Sequence, residues 1–215
     1  MSQKQWTRRS FVWRALIIPP AALLAACSGR SLNDVLSGLG PEPGGTAVVQ
    51  NLPPTPACDD GDDLTPAQTE GPYYTPNTPL RTSLLEPSMQ GTRLLVSGQV
   101  LSTACMPVAQ ALVDFWHCDD AGVYDNVGYR LRGHQFTDDQ GRYQLETIMP
   151  GVYPGRTRHI HVKVQAPNQP VLTTQLYFPN EPQNARDGIY NPDLEMTVQN
   201  TGNGPAGTFD FVLNI

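Results

Sequence analysis

Two histidines separated by one residue, His159 and His161, are the clearest candidates for chemistry in this sequence. They lie in the alternating segment His159-Ile160-His161-Val162, a pattern that is typical of a β-strand. Side chains two positions apart on a strand point to the same face, so both imidazoles would project side by side and could bind one metal ion. Surface histidines or hydrogen-bonded histidines explain such a pair more often, so the pair alone does not establish a metal site.

Two tyrosines near this pair add candidate oxygen donors. Tyr153 lies in a loop bracketed by Gly and Pro directly before the histidines, and Tyr124 follows the end of a predicted strand. Two phenolates with two imidazoles favour a hard trivalent ion such as Fe(III) over a divalent one. A tyrosine ionises only near pH 10 unless a strong local cation, such as the metal, lowers its pKa. The alternative is that both tyrosines are core or rim aromatics, and for either tyrosine alone this alternative is favoured.

The elements that must position these residues are predicted to be short strands. Apolar or alternating runs are separated by turn signals, and they cover residues 93–101, 111–116, 159–164, 173–178 and 207–213. Asp138 to Gly141 forms a strong turn signal between Phe136 and Tyr143, which predicts a hairpin. Helix signals are almost absent. The pattern predicts an all-β fold, an antiparallel β-sandwich with long active-site loops.

Composition limits the size of the protein and the class of partner. The 215 residues are 39% hydrophobic, which is enough for one domain with a sizeable core. Residues 1–26 carry four basic side chains and no acidic one, which leaves 10 basic against 20 acidic residues in the remainder. This acidic remainder argues against nucleic acid or anionic lipid as the main partner, because both are polyanions.

Residues 1–26 predict a signal peptide. The segment Thr7 to Val12 resembles a twin-arginine export signal, and the apolar run that follows is too short for a comfortable transmembrane helix. Leu24-Ala25-Ala26-Cys27 resembles a lipobox, in which Cys27 would be lipidated. The alternative is a poor transmembrane anchor. We therefore expect an exported lipoprotein on the periplasmic side, held to the membrane only by its lipid anchor, with the outer membrane favoured for a Gram-negative source.

Residues 27–62 are rich in Gly and Pro and predict a flexible linker, followed by the compact domain at 63–215. Three cysteines remain after Cys27, and an oxidising compartment makes one disulfide plausible. Cys105 and Cys118 are expected at opposite ends of one strand, too far apart to bond. Cys58 paired with one of these two is the favoured arrangement, with a structural role.

Several ordered blocks around the candidate ligands resemble the intradiol ring-cleavage dioxygenases. They cover about residues 65 to 180, which is essentially the whole compact domain. The blocks are Thr69 to Tyr74, Trp116 to Asp119, Gly122 to Tyr124, Arg132 to Gln135, Thr147 to Tyr153, Gly155 to His161 and Thr174 to Phe178.

The resemblance implies a non-haem Fe(III) cofactor with four protein ligands. The positions that match the ligands are Tyr124, Tyr153, His159 and His161. Arg156 matches an arginine that contacts the substrate and stabilises its developing charge, and Gln175 matches a polar group on the oxygen-binding side. Tyr73 and Tyr74 match an aromatic pair near the pocket mouth and are expected at the substrate. His117, His134 and Tyr143 are interpreted as structural.

The same resemblance implies the reaction. A small aromatic diol of the catechol type would be cleaved by O2 between its two hydroxyl-bearing carbons, giving a cis,cis-muconate-type diacid. Tyr153 would leave the metal and accept a proton, which makes it catalytic together with Arg156 and Gln175. The alternative is a non-catalytic β-sandwich lipoprotein that binds a metal or another ligand. The ring substituents and the oligomeric state stay open, and a homo-oligomer is one option for the latter.

Overall fold

Nine β-strands and two short 3-10 helices make up the part of the chain that the structure, a computed structural model, describes, residues 64–215. The predicted signal peptide at 1–26, the linker at 27–62 and the lipidated Cys27 lie outside the described residues and stay predictions. Among residues 64–215 no helix is long and apolar enough to cross a membrane. The strands are β1 Arg93–Ser102, β2 Leu112–Trp116, β3 Arg132–Phe136, β4 Arg142–Ile148, β5 His159–Gln165, β6 Leu172–Tyr177, β7 Thr197–Thr201, β8 Gly204–Thr208 and β9 Phe211–Leu213. The 3-10 helices are Asn184–Arg186 and Pro192–Leu194.

The strands form two sheets packed face to face. One sheet has the order β4-β1-β8-β7, with β9 also paired to β1, and the other has the order β3-β2-β5-β6. The second sheet is antiparallel throughout, and it carries His159 and His161 on its central strand β5. The expected all-β sandwich is confirmed, with one refinement, because β1 runs parallel to both β8 and β9.

The inner faces of the two sheets form the apolar core. On β5 the inward side chains are Ile160, Val162 and Val164, all with no exposed surface. Leu145 and Val96 face them from the first sheet. Because side chains alternate along a strand, this inward set fixes His159 and His161 on the outer face. The inward packing of Ile160, Val162 and Val164 therefore determines that both imidazoles point outward from the core.

A segment that precedes β1 buries this outer face. The backbone N–H of Gln68 donates to the carbonyl of Thr173 on edge strand β6, at 2.8 Å. Further along, the N–H of Arg81 donates to the carbonyl of His134 on the opposite edge strand β3, at 2.9 Å. Residues 68–81, here called the crossing segment, therefore span the four-stranded sheet from edge to edge. Both imidazoles below the segment are only 2% exposed.

The predicted hairpin is present, β7 was missed, and the strand predicted at 207–213 is divided between the end of β8 and β9. Gly141 has φ +69°, and Asp138 Oδ1 accepts from the backbone N–H groups of Gln140 and Arg142, both at 2.9 Å. β7 and β8 have the sequences Thr-Val-Gln-Asn-Thr and Gly-Pro-Ala-Gly-Thr, and most of their side chains are exposed or half-buried. They lack the apolar alternation that marks a strand, so neighbouring strands define them: β8 pairs with β1, and β7 pairs with β8.

Cys105 and Cys118 do not bond with each other, as the strand between them predicted. Cys105 is disulfide-bonded, whereas Cys118 is free and buried. Burial raises the pKa of the Cys118 thiol to about 11, which keeps it protonated at neutral pH. The predicted participation of Cys58 lies outside the described residues and stays a prediction.

Gly98 gives a direct test of how tightly β1 is packed. A Cβ at this position would overlap the backbone carbonyl of Phe209, where the chain passes from β8 to β9 beside β1. We expect Gly98→Ala to lower the free energy of unfolding by about 1–3 kcal/mol, measured by urea denaturation. Gly202→Ala is the matched control, because a Cβ there meets no atom within 4 Å. Equal stability of the two variants would contradict the close approach.

Candidate metal centre

The four predicted ligands converge, although they come from three separate parts of the chain. The phenol oxygen of Tyr153 lies 3.2 Å from Nε2 of His159, and the phenol oxygen of Tyr124 lies 3.4 Å from the same atom. Nε2 of His161 lies 3.2 Å from Nε2 of His159. Two oxygen and two nitrogen donors thus surround one point. Among residues 64–215 no group of three or more His, Cys, Asp or Glu side chains could hold a metal, so a centre here requires the tyrosines.

Tyr124 is held by a loop that two aspartates organise. Asp119 Oδ1 accepts from the backbone N–H of Val123 at 2.9 Å, and the Asp119 carbonyl accepts from the N–H of Gly151 at 2.7 Å. The second contact ties this loop to the one that carries Tyr153. Asp125 caps the next turn by accepting backbone N–H groups, which lower the pKa of its carboxyl. The Asp125 carboxylate is thus engaged by the backbone of its own turn.

Tyr153 lies in a tight turn that leads into β5. The N–H of Arg156 donates to the Tyr153 carbonyl at 3.2 Å, and the intervening Gly155 has φ +85°. Two residues further on, Arg158 pairs with Glu181 at 2.7 Å, which fixes the loop against the chain beyond β6. The phenol and guanidinium of this turn therefore enter the site in a fixed relation to the histidines.

Both histidines are neutral at neutral pH. Burial, followed by the nearby Arg156 guanidinium, lowers the pKa of His159 to about 4. Burial and the neighbouring His159 hold the pKa of His161 well below its usual range. Nδ1 of His159 lies 2.6 Å from the Thr157 carbonyl, which can only accept, so Nδ1 carries the proton and Nε2 keeps a lone pair. His159 is therefore prepared to bind a cation through Nε2.

The two phenols need a cation in order to ionise. Burial raises the pKa of Tyr153, and burial together with Tyr153 raises the pKa of Tyr124. The positive charge of Arg156 lowers both values but does not outweigh burial. A trivalent metal would supply the missing positive charge and would match two hard oxygen donors and two imidazoles. The donor set thus fits Fe(III), the cofactor that the sequence predicted.

Arg156 is clamped between two side chains. Its Nε donates to Asp187 Oδ2 at 2.9 Å, and its Nη2 donates to Gln175 Oε1 at 2.5 Å. Asp187 also accepts from the backbone N–H groups of Thr157 and Ile189, and its side chain is only 2% exposed. These bonds, with the Arg156 guanidinium, hold the pKa of Asp187 below its usual value although burial opposes the shift. The guanidinium is therefore charged and fixed in direction.

Gln175 is the second half of that clamp. It is fully buried on β6, directly beside His161 in the sheet register. Its Nε2 donates to the carbonyl of Thr69 in the crossing segment at 2.9 Å, and its Oε1 also accepts from the hydroxyl of Tyr177 at 3.1 Å. The structure thus brings Gln175 and Arg156 together, as their joint assignment to one site predicted.

A cavity of about 500 Å³ opens beside this clamp. Tyr153 and Arg156 line one side of it, and Gln183, Arg186 and Asp187 line the other. Arg186 is exposed and forms no ion pair within residues 64–215. The cavity gives Tyr153 and Arg156 access to solvent next to otherwise buried donors.

Tyr73 contacts a predicted ligand directly, whereas Tyr74 packs on Trp116. The ring of Tyr73 stacks on Tyr124, with centroids 4.4 Å apart, so it borders the centre directly. The ring of Tyr74 packs on Trp116 at 4.8 Å, and its hydroxyl donates to Asp114 at 3.2 Å. The described contacts of Tyr74 lie behind the metal ligands. Substrate contact stays a prediction for both tyrosines.

The residues interpreted as structural are buried or hydrogen-bonded away from the centre. His117 donates through Nδ1 to the Cys118 carbonyl and accepts at Nε2 from Thr147 Oγ1, both at 2.7 Å. Nδ1 of His134 lies 3.1 Å from Thr78 Oγ1. The ring of Tyr143 packs against core phenylalanines, and its hydroxyl donates to the Phe209 carbonyl at 2.7 Å. The structural interpretation is confirmed for these residues.

Sequence reasoning missed Asp187 and Asp114. Asp187 follows Arg156 by 31 positions, in a stretch with no strand or motif signal, so nothing in the sequence pairs it with an arginine. Asp114 did carry a signal, because it is a charged residue within the apolar run Ala111 to Trp116. It is 4% exposed and accepts from the hydroxyls of Thr78 and Tyr74.

Comparison with known proteins places this geometry in a family. The dioxygenase family profile matches residues 69–214. The dioxygenase domain of a dioxygenase carbohydrate-binding protein fusion from the cellulolytic bacterium Streptomyces sp. SirexAA-E is 56% identical, with a TM-score of 0.69. The match covers 71% of this chain and 99% of that domain. The 3-chlorocatechol 1,2-dioxygenase of Rhodococcus opacus 1CP is 26% identical, with a TM-score of 0.65, over 70% of this chain and 72% of that one.

Catechol 1,2-dioxygenase of Candida albicans is 29% identical over 148 residues, which are 56% of this chain and 49% of that enzyme. The chain spans about half the length of the first curated relatives that it matches. The family match nevertheless covers well over half of the chain, including every predicted ligand and the Arg156 clamp. The chain therefore belongs to the intradiol dioxygenase family.

Proposed function

We propose that this protein is a non-haem Fe(III)-dependent intradiol dioxygenase that cleaves catechol-type rings with O2 to cis,cis-muconate-type diacids. The observation that carries the proposal is the convergence of two phenol oxygens and one imidazole nitrogen on Nε2 of His159, at 3.2 to 3.4 Å. Tyr124, Tyr153, His159 and His161 would hold the iron. When bound, Fe(III) would supply Lewis acidity, which binds a deprotonated diol and activates its ring for reaction with O2.

Tyr153 is the better placed of the two phenols to take a proton from the substrate. It is half-buried and borders the open cavity, whereas Tyr124 is 7% exposed and covered by Tyr73. Burial raises the pKa of Tyr153, so its phenolate is a strong base once it is no longer bound to a cation. The chain thus offers one fixed and one accessible phenol ligand.

Arg156 provides charge at the edge of the same site. A guanidinium aimed beforehand in a water-poor pocket stabilises negative charge that develops on a substrate without needing to reorient. Its clamp between Asp187 and Gln175 provides that aim. The buried histidines and the crossing segment exclude water from the side of the site opposite the cavity.

We further propose that the enzyme works outside the cytoplasm, tethered by lipid on Cys27. The twin-arginine-like segment and the lipobox-like segment support this location. A twin-arginine route carries folded proteins and would suit a cofactor that is inserted before export. Radiolabelled palmitate incorporation into the wild-type chain but not into Cys27→Ala would support the anchor.

The proposed activity predicts both colour and oxygen consumption. Iron-loaded protein should show a visible phenolate-to-Fe(III) charge-transfer band and should consume O2 with at least one member of a panel of catechol, chlorocatechol, hydroxyquinol and protocatechuate. A colourless, metal-replete protein would instead favour a ligand-binding sandwich. A coloured protein that consumes no O2 with any diol would favour a metal-binding protein without catalysis.

Replacing Tyr153 by Phe should separate iron binding from turnover. Three ligands remain in Tyr153→Phe, so iron should stay bound, while the charge-transfer band weakens and kcat falls by about 100-fold or more through loss of the proton acceptor. Tyr129→Phe is the control, because it removes a phenol that donates only to the Pro76 carbonyl at the surface. Turnover that is unchanged in Tyr153→Phe would refute its assignment.

Neutralising Asp187 should weaken catalysis without releasing iron. Asp187→Asn keeps the side-chain shape but removes the charge that pairs with Arg156, so we expect kcat/KM to fall by roughly 10–100-fold, the value of a charge-assisted hydrogen bond. Glu181→Gln is the matched control, because it neutralises the carboxylate that pairs with Arg158 in the same loop. Equal losses in both variants would mean that general loop damage, rather than the aim of Arg156, explains the effect.

A further inference from the structure

The two imidazoles of the centre are held in different ways. His159 is anchored by the hydrogen bond from its Nδ1 to the Thr157 carbonyl. His161 is equally buried, yet its Nδ1 has no hydrogen-bond partner within residues 64–215. Metal-binding histidines usually donate this second nitrogen to an acceptor that fixes the plane of the ring. Among the described residues, the groups that fix the plane of His161 are therefore those that pack against its ring.

The indole of Trp116 is the group that lies against this ring. The two rings are stacked with centroids 4.8 Å apart and an interplanar angle of 7°. They are direct cross-strand neighbours, because His161 on β5 is in register with Trp116 on β2. The contact is thus built into the sheet, and it orients the imidazole through a face rather than through an edge nitrogen.

Gly71 limits the same ring at its edge. A Cβ at Gly71 would lie 3.5 Å from Cε1 and 3.9 Å from Nε2 of His161, so the crossing segment passes close to the nitrogen that faces the other ligands. Gly71 has φ +70°, a conformation that favours glycine. The His161 ring is thus bounded by the Trp116 indole on one face and by the crossing segment at one edge.

Trp116 is itself immobilised by packing alone. It has no exposed surface, and its Nε1 finds no hydrogen-bond partner in the described part of the chain. Tyr74 packs on it at 4.8 Å, and Tyr74 is held in turn by its hydrogen bond to Asp114 and by Lys163 Nζ, which lies 3.8 Å from the centre of the Tyr74 ring. A continuous row of aromatic contacts thus links a polar cluster below the crossing segment to His161.

We propose that Trp116 is a positioning residue for His161, and that its stacked indole does for His161 what the Thr157 carbonyl does for His159. Trp116 sets the plane of the His161 ring and so aims Nε2 at the other donors. Tyr74 supports this role from behind. The part of the inference that concerns iron rests on the proposed function, whereas the part that concerns ring order does not.

The test compares Trp116→Leu, which removes the aromatic face, with Trp116→Phe, which keeps one. In metal-free protein with ¹⁵N-labelled histidine, the ring signals of His161 should broaden or shift in Trp116→Leu, while those of His159 stay as in the wild type. In Trp116→Phe the His161 ring signals should lie closer to those of the wild type than they do in Trp116→Leu. A general structural lesion would disturb both histidines, so the selectivity for His161 is the decisive observation.

Iron release gives a second readout on the same variants. Transfer of Fe(III) to a chelator should be 10–100-fold faster from Trp116→Leu than from the wild type, the range found when partners of metal ligands are lost. From Trp116→Phe it should be at most about 3-fold faster, well short of that range. Unchanged release together with an unchanged His161 signal in Trp116→Leu would overturn the proposal.

A further variant covers the case in which Trp116→Leu does not fold. Tyr74→Leu leaves the indole in place and removes its support, so the His161 signals should broaden selectively, and less than with loss of the indole. Unaltered His161 signals in a folded Tyr74→Leu would overturn the proposal. If the wild type fails to bind Fe(III), the proposed function is wrong, but the metal-free histidine signals still decide whether Trp116 orders His161.

Discussion

Burial of both faces of β5 is the constraint on which the rest of this structure depends. The inner face of the strand enters the apolar core through Ile160, Val162 and Val164, and the outer face carries both histidines. An outer face of a sandwich normally meets water, where exposed imidazoles titrate near pH 6.5 and move freely. Here the crossing segment covers that face, so the imidazoles stay neutral, dry and fixed.

The same covering determines the electrostatic character of the site. One buried phenol, one half-buried phenol and two buried neutral imidazoles form a centre of donors with no carboxylate among them, while Arg156 brings positive charge to its edge. Asp187 balances that charge from outside the donor set, which keeps negative charge away from the ligands. A cation placed among the donors would therefore gain the full benefit of two phenolates. This arrangement places a compensated ion pair, rather than an unpaired guanidinium, beside the proposed cation site.

Sequence reasoning succeeded where one local rule was sufficient. Alternation in the segment from His159 to Val164 predicted a strand with paired imidazoles, and the turn at Asp138 predicted the hairpin, because each depends on neighbouring residues alone. The ordered family blocks supplied Tyr124, Tyr153, Arg156 and Gln175, which the structure brings together. Asp187, Gly71 and the stack behind His161 were not recognised, because their roles arise from contacts across the sheet that no local pattern encodes. The polar strand β7 and the start of β8 were missed for the same reason, since their pairing partners define them.

The path of the crossing segment has a consequence for the order in which the protein assembles. The contacts of His161 join Gly71, Trp116 and Gln175, and the Arg156 clamp extends to Asp187, so more than half of the chain must be in place before the centre is complete. Contacts this distant in sequence form late and slowly in β-rich proteins. A chain in which residues 68–81 have not yet crossed the sheet exposes its imidazoles and two unpaired strand edges, which are a risk for aggregation. Capture of the proposed iron would thereby be a late event, and it would report that folding is complete.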